Sequence, residues 1–339
     1  MVRILYRLLA LSILLGSLGL GWLWMDLQQF LQRPLELPEA GYTLVIEPGS
    51  NLRRVSARLA ADGVLAHPLY LRAWARWQRL GTAIKAGEYR LDPGLTPLTM
   101  LQLLISGKGI LHGLTIIEGW DFRQMRQALA AESSLRHTLE GMDDAHVMAA
   151  IGAPGYFPEG RFMPDTYRFA AGTADTVLLR RAFAAMREFL ARAWTTRAPD
   201  LPYHSPYEAL ILASIIEKET GVAAERAQIA GVFVRRLQKK MRLQTDPTVI
   251  YGLGDAFDGN LRRRDLRSPS PYNTYLNRGL PPTPIALPGR AAIEAALHPA
   301  PGKALYFVAR GDGTHEFSTT LAQHNRAVQQ YQLNHGKKR

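Results

Sequence analysis

The stretch SPYEALILASIIEKETG, Ser205 to Gly221, decides how the chain is read. Ser205 can cap a helix, Pro206 suits its first position, and Glu208 completes a capping box. From Ala209 to Ile216 only Ser214 is polar. A helix apolar on nearly all sides belongs at the centre of a domain. Gly221 reads as its C-cap. At about 100° per residue, Glu217 falls on the stripe of Leu210 and Ala213, near Ser214. The small residues before it leave room over the carboxylate. A carboxyl at the mouth of an apolar helix should have a raised pKa, which suits a general acid. Glu219 lies above Leu212, Ile215 and Ile216. Periodicity does not separate the two glutamates, and both can also be read as solvated helix-end charges.

Downstream, a second helix is expected over Ala224 to Met241. RLQTDPTVIYGLG (Arg242 to Gly254) then gathers Gln244, Thr245, Asp246 and Thr248 at an Asp-Pro turn. SPYNTYLNRGLPPTPIALPG (Ser270 to Gly289) places Tyr272, Asn273 and Tyr275 before a Gly-Leu-Pro-Pro turn. Amides, hydroxyls and aromatics on rigid loops are what a sugar site needs, because they bond hydroxyls and stack on pyranose faces. Gln244, Asp246, Tyr272, Asn273 and Tyr275 are therefore the candidates for holding a sugar. The final section reads as a strand, a Gly-Asp-Gly hairpin turn, a strand and a closing helix.

Upstream, a strand–turn–helix unit recurs at 43–60, 87–105 and 114–130, with Pro48-Gly49, Pro93-Gly94 and Glu118-Gly119 at the turns. The echo reads as a repeated α+β unit or as a chance likeness of short units. His67 to Arg79 reads as an amphipathic helix with Trp74 and Trp77. The first unit resembles the start of a LysM module, a fold that binds N-acetylglucosamine polymers. Residues 132–170 read as a structured, aromatic-rich surface loop in which Glu159 and Asp165 could supply a second carboxylate. Turn capping is the plainer role for Asp165 and Asp246, which flank prolines. Ala174 to Ala193 reads as a long helix.

No charge occurs from Leu8 to Met25, whereas Arg3 and Arg7 precede that run and Asp26 follows it. A transmembrane helix over 8–25 is expected, with residues 1–7 cytoplasmic and all that follows outside. A cleaved signal peptide is the alternative, but bulky residues stand where a small-x-small site would be. Residues 26–41, with Pro34 and Pro38, read as a juxtamembrane linker. The chain of 339 residues carries 41 Lys+Arg against 29 Asp+Glu, a net charge of +12, which implies an anionic partner. Outside the membrane, lipid headgroups or a carboxylate-bearing wall polymer fit better than nucleic acid, and no nucleic-acid partner is expected. Cysteine is absent, which removes disulfides, thiolate metal sites and Cys nucleophiles. His315 and His324 lie nine apart with no third ligand at metal spacing and read as structural, so no metal and no cofactor are expected.

ASIIEKET (Ala213–Thr220), LQTDPTVIYG (Leu243–Gly252), SPYNTY…GLPPTPIALPG, ALYFVA…GDGTHEFS…HN and the earlier PEGRFMPDTYRF (158–169) occur in one order. In these motifs the chain resembles the endolytic murein transglycosylases of the MltG/YceG-like family, from the N-terminal anchor to the C-terminus. Arg161-Phe162-Met163 and Leu287 are mild departures. The resemblance implies an α+β protein: a transmembrane helix, a small LysM-like subdomain over 42–110, a larger mixed α/β catalytic domain over 111–335 and a basic tail at 336–339. It implies a lyase in the bacterial inner membrane, single-pass, with its catalytic domain periplasmic or otherwise extracytoplasmic. Its substrate would be nascent peptidoglycan, cut between N-acetylmuramic acid and N-acetylglucosamine to leave a 1,6-anhydro end, with peptidoglycan synthases as possible neighbours. Glu217 would be catalytic, as acid and then as base.

Two other functions fit parts of the sequence. A membrane-anchored wall-binding scaffold would need no raised-pKa carboxyl at an apolar helix end. A two-carboxylate glycan hydrolase would need a partner carboxylate within roughly 5–9.5 Å of Glu217.

Overall fold

The computed structural model describes residues 2–333; Met1 and residues 334–339, with the expected basic tail at 336–339, lie outside the described residues. The protein is a mixed α+β chain of two compact units. One comprises residues 1–113 with 134–136 and 168–173; the other comprises 114–133, 137–167 and the rest of the chain.

The first unit starts with α1 (Val2–Gln32), a helix of 31 residues. Its stretch Tyr6–Gln32 is long and apolar enough to cross a membrane. The helix overruns the expected 8–25 span at both ends, so the linker assigned to 26–41 is irregular only from Arg33. The reason is packing: Leu31 is buried, Phe30 lies against the unit's core, and the Tyr70 hydroxyl donates to Asp26 at 2.7 Å. Pro34 then disfavours helical backbone at Arg33.

Strand β1 (Tyr42–Ile46) is followed by α2 (Leu52–Ala61), α3 (Pro68–Trp77), β2 (Gly87–Leu91) and α4 (Pro97–Ser106). The strands pair antiparallel, from Tyr42 with Leu91 to Ile46 with Gly87. Alternation sends Leu44, Ile46, Tyr89 and Leu91 into a core shared with Leu59, Leu71 and Leu104. Next come β3 (Leu111–Ile116) and α5 (Phe122–Ala131). The three strand–turn–helix echoes are alike position by position. Each turn has five residues between strand and helix. Gly49, Gly94 and Gly119 take its third place with φ of 83°, 94° and 80°. Asn51, Thr96 and Asp121 take its fifth, each accepting the backbone N–H three residues on. Only glycine enters that left-handed region without strain, and the cap satisfies an otherwise orphaned amide.

Further along lie α6 (Asp144–Ala150), β4 (Asp165–Ala170) and α7 (Asp175–Thr195). β4 pairs with β3. The stretch expected as a surface loop over 132–170 thus contains a helix and a strand, and its Phe162, Tyr167 and Phe169 are core rather than functional surface.

The second unit is built around α8 (Pro206–Glu219), where every residue from Ala209 to Ile216 is buried. It packs with α7, α9 (Arg226–Gln238), α10 (Asp246–Leu253) and α11 (Arg290–Leu297). Ser205 caps α8 through the Glu208 N–H, but the expected reciprocal bond is displaced: Glu208 accepts from His204 instead. Gly221 is not the C-cap. Thr220 ends the helix in extended conformation, and its hydroxyl accepts the Val222 N–H. β5 (Tyr306–Ala309) and β6 (His315–Ser318) form the expected hairpin, and α12 (Leu321–Val328) follows. Described strands occur only in two-stranded sheets, so this unit is mixed, with short strands beside a mostly helical core.

Candidate active site

Ser214 and Glu217 are one turn apart on α8, and the segment 283–289 runs along both. The Ile285 N–H donates to Ser214 Oγ at 3.0 Å, and the Gly289 N–H donates to Glu217 Oε2 at 2.9 Å. Ser214 returns its own proton to the Ile211 carbonyl. On its other edge this segment zips to the β3–α5 turn: Gly119 donates to the Leu287 carbonyl, and Leu287 donates to the Trp120 carbonyl. The departure at Leu287 is therefore harmless there, because backbone makes both bonds.

This zipper places a second carboxylate. Glu118 sits so close to Gly289 that a Cβ there would overlap its carboxyl group. Gly289 caps α11, so both carboxylates meet a helix N-terminus, where partial positive charge accumulates. Arg226 Nη2 stands 3.9 Å from Glu217 Oε1, and its buried Nε has no hydrogen-bond partner. Lys218 turns away to the Gly119 carbonyl at 3.2 Å. The Glu217 side chain is only 7% exposed. Burial pushes its pKa up; the Gly289 amide opposes this, Glu118 adds to it, and Arg226 and Lys218 oppose it.

Two cavities are lined by neighbours of Glu217. The larger, about 1420 Å³, is lined by Gly119, Lys218, Phe122, Glu159, Tyr251 and Tyr272, among others. The smaller, about 730 Å³, is lined by Arg226, Arg290 and Phe189 among others. Glu217 lines neither, but Lys218, next to it in the chain, lines the larger, and Arg226, 3.9 Å from its carboxyl, lines the smaller.

The other sequence candidates fall into separate places. Glu159 is buried against the large cavity, where it accepts the Phe122 and Gly160 amides and the Tyr251 hydroxyl. Burial lifts its pKa to about 7. Tyr272 lines the same cavity, edge-on to Tyr251 at 4.9 Å, with its hydroxyl 2.9 Å from Thr283 Oγ1. Asp246 accepts the Tyr275 hydroxyl at 2.6 Å, beside Thr245, whose hydroxyl donates to Glu219. Burial raises Glu219 to about 7 as well. Gln244 is exposed, left-handed at φ 52°, and bonded through its N–H to the Thr274 carbonyl. Asp165 is exposed, 3.7 Å from Arg290.

Asn273 is a correction. It is fully buried, its amide donates to the Leu266 and Ser268 carbonyls, and its oxygen accepts the Tyr275 N–H. Its amide and its oxygen are bonded within the loop, and its side chain is shut off from solvent, so it shapes the loop. His324 stacks on Tyr306, and its buried Nδ1 has no hydrogen-bond partner. His315 does act structurally, bonded to Glu225 at 2.7 Å. Among the described residues no cluster of three His, Asp or Glu could hold a metal.

Glu118 and Arg226 were missed as candidates. The signal for Glu118 was present: at the turn position where the first two units have Pro48 and Pro93, the third has a carboxylate. Arg226 had none, because helix periodicity does not show which neighbour an arginine meets.

Residues 44–330 match the YceG-like family. An endolytic murein transglycosylase of Bacillus subtilis is 33% identical over 306 residues, covering 84% of this chain and 83% of that protein. One of Streptococcus pneumoniae is 28% identical over 88% of this chain, which spans 60% of that longer relative. The crystal structure of a YceG-like protein from Listeria monocytogenes superposes with a TM-score of 0.54 at 30% identity, over 85% of this chain and 99% of that one. With a family match over most of its length, relatives named alike and a matching fold, the chain belongs to the YceG-like family.

Proposed function

We propose that the chain is an endolytic murein transglycosylase, a lyase acting on peptidoglycan, with Glu217 as its single acid–base residue. The observation that carries this reading is the position of the Glu217 carboxyl: nearly buried, raised in pKa, and adjoining residues of two separate cavities. An enzyme that cuts inside a strand needs room for sugars on both sides of the scissile bond.

Protonated Glu217 delivers its proton to the oxygen between N-acetylmuramic acid and N-acetylglucosamine. The C1–O bond breaks, with the N-acetyl group able to assist at C1. Glu217, now a carboxylate, takes the proton from the muramic C6 hydroxyl as O6 bonds to C1. A 1,6-anhydro end results, no water is consumed, and the glutamate returns to its starting state. That double duty suits a pKa near working pH. The Gly289 amide and Arg226 hold the carboxylate form between the two steps. Tyr272 at the cavity wall is the best placed of the sugar-holding candidates; Asp246 and Tyr275 group around Glu219 instead, and Gln244 is exposed.

One observation favours a second reading. Glu118 supplies a carboxylate beside Glu217, as a hydrolase using water would require. Mass spectrometry of products from purified sacculi separates the two. Anhydro ends with the native chain and none with Glu217→Gln support the lyase; reducing ends overturn it in favour of the hydrolase; no products leave a binding scaffold.

The remaining assignments follow from this activity. α1 anchors the chain in the bacterial inner membrane by a single pass, with the N-terminus cytoplasmic and the chain beyond the anchor on the outer side, where nascent strands and peptidoglycan synthases are found. The segment 42–110 is LysM-like, supported by its strand, two helices and antiparallel return strand. The segment 111–335 is the catalytic domain.

A further inference from the structure

We infer that α3 is a membrane-docking helix whose exposed face lies in the anionic headgroup layer beside α1. This rests on the reading of α1 as the membrane anchor. Trp24 stands at the outer end of the uncharged run, one residue before Met25 and two before Asp26. Tryptophan at that position marks the interfacial layer. Its ring is 5.4 Å from that of Trp77 and 6.3 Å from that of Trp74, and those two rings are 5.1 Å apart. Side chains that touch an interfacial residue share its depth, so the C-terminal half of α3 sits at the membrane surface with Trp24.

The face that α3 leaves free suits that position. Leu69, Arg72, Ala73, Arg76 and Trp77 recur at helical spacing, and Leu71 and Ala75 on the opposite side are fully buried. Leu69 and Trp77 are 68% and 62% exposed, a large apolar surface to leave in water. Arginines between apolar anchors are the pattern of a helix lying in the headgroup layer. From Gly63 to Gly87 there is no Asp or Glu, while Arg72, Arg76, Arg79 and Lys85 are all basic, so the occupant is an anionic lipid surface. α1 also runs on to the unit's core without a break, because Phe30 packs against that core and Leu31 is buried. The anchor therefore fixes α3 at one height rather than trailing it on a tether.

Absence of cysteine permits a clean test with the full chain in phosphatidylethanolamine/phosphatidylglycerol nanodiscs. Single cysteines replace Leu18, Leu69 or Ala73 and carry a fluorophore, read against headgroup nitroxide lipid and against aqueous iodide. The expected result is at least twofold lipid quenching at positions 69 and 73, with weak iodide quenching. Arg72→Glu with Arg76→Glu should restore iodide access at 69 and 73 while leaving position 18 unchanged. If the label at 18 meets lipid but those at 69 and 73 meet only iodide, the docking is wrong and the anchor stands. If the label at 18 meets no lipid, the anchor reading falls and the docking falls with it.

Discussion

The last turn of α8 holds two glutamates, and the chain treats them differently. Glu217 accepts a backbone amide from the capping residue of α11, has Arg226 within 3.9 Å, and has neighbours that line two cavities. Glu219 accepts the Thr245 hydroxyl and has Asp246 and Tyr275 close by. Burial raises both pKa values, and it raises Glu159 too. A raised carboxyl pKa therefore marks three residues here and selects none. Surroundings make the distinction: Glu217 stands beside residues that line two cavities, while Glu219 ties α8 to the loop that carries Thr245.

The sharpest way to break that comparison is to neutralise each in turn. Glu217→Gln keeps shape and burial but cannot pass a proton. General acid–base groups contribute about 10²–10⁴-fold, and one residue serving both steps belongs at the upper end. Release of anhydro products should fall by that factor with the melting temperature unchanged. Glu219→Gln keeps an acceptor for Thr245, so activity should stay within several-fold of native. If Glu219→Gln is the dead variant, the roles are exchanged. If both lose activity and both melt lower, neither is the acid.

A second test concerns what was legible in the sequence. α8 was readable because its cap, its proline and its apolar run are local signals, and the turn units were readable because glycine and capping residues recur at fixed spacing. The site was only partly readable, because Glu118, Arg226 and Gly289 come from elements far apart in the chain. Asn273 shows the opposite failure: a polar loop resembles a sugar site, yet the buried asparagine satisfies carbonyls of its own loop. The overrun of α1 past Met25 came from Phe30 and Leu31 finding a core, which composition does not reveal. Asn273→Ala should leave buried carbonyls unpaired at about 1–3 kcal/mol each, lowering the melting temperature while folded protein still turns over. An intact melting temperature with lost activity would return Asn273 to the substrate.

The charges around Glu217 predict opposite pH shifts. The first proton transfer needs Glu217 protonated, so kcat/KM falls as pH rises through its pKa. Glu118 helps to raise that pKa and Arg226 helps to lower it. Glu118→Gln should move the alkaline limb to lower pH, costing rate at neutral pH and little in acid. Arg226→Gln should move the limb to higher pH. If either substitution lowers the rate at every pH with the limb in place, that residue only positions substrate.

The smallest expected effect compares two equivalent turns. Gly49 and Gly119 occupy the same place in their strand–turn–helix units, at φ of 83° and 80°. A Cβ at Gly49 would meet nothing within 4 Å, whereas one at Gly119 would lie 3.9 Å from Glu217 Cγ and 3.8 Å from Lys218 Cδ. These are ordinary contacts, so Gly119→Ala adds no clash, and both alanines bear the same left-handed strain of about 1–2 kcal/mol. The two variants should lose stability alike in urea. Only Gly119→Ala should lose activity, by less than about tenfold, because it narrows the path between the large cavity and the acid while leaving the acid itself in place. Equal activity losses would mean that turn stability alone sets the rate, and the Gly119 turn would then have no part in admitting the glycan.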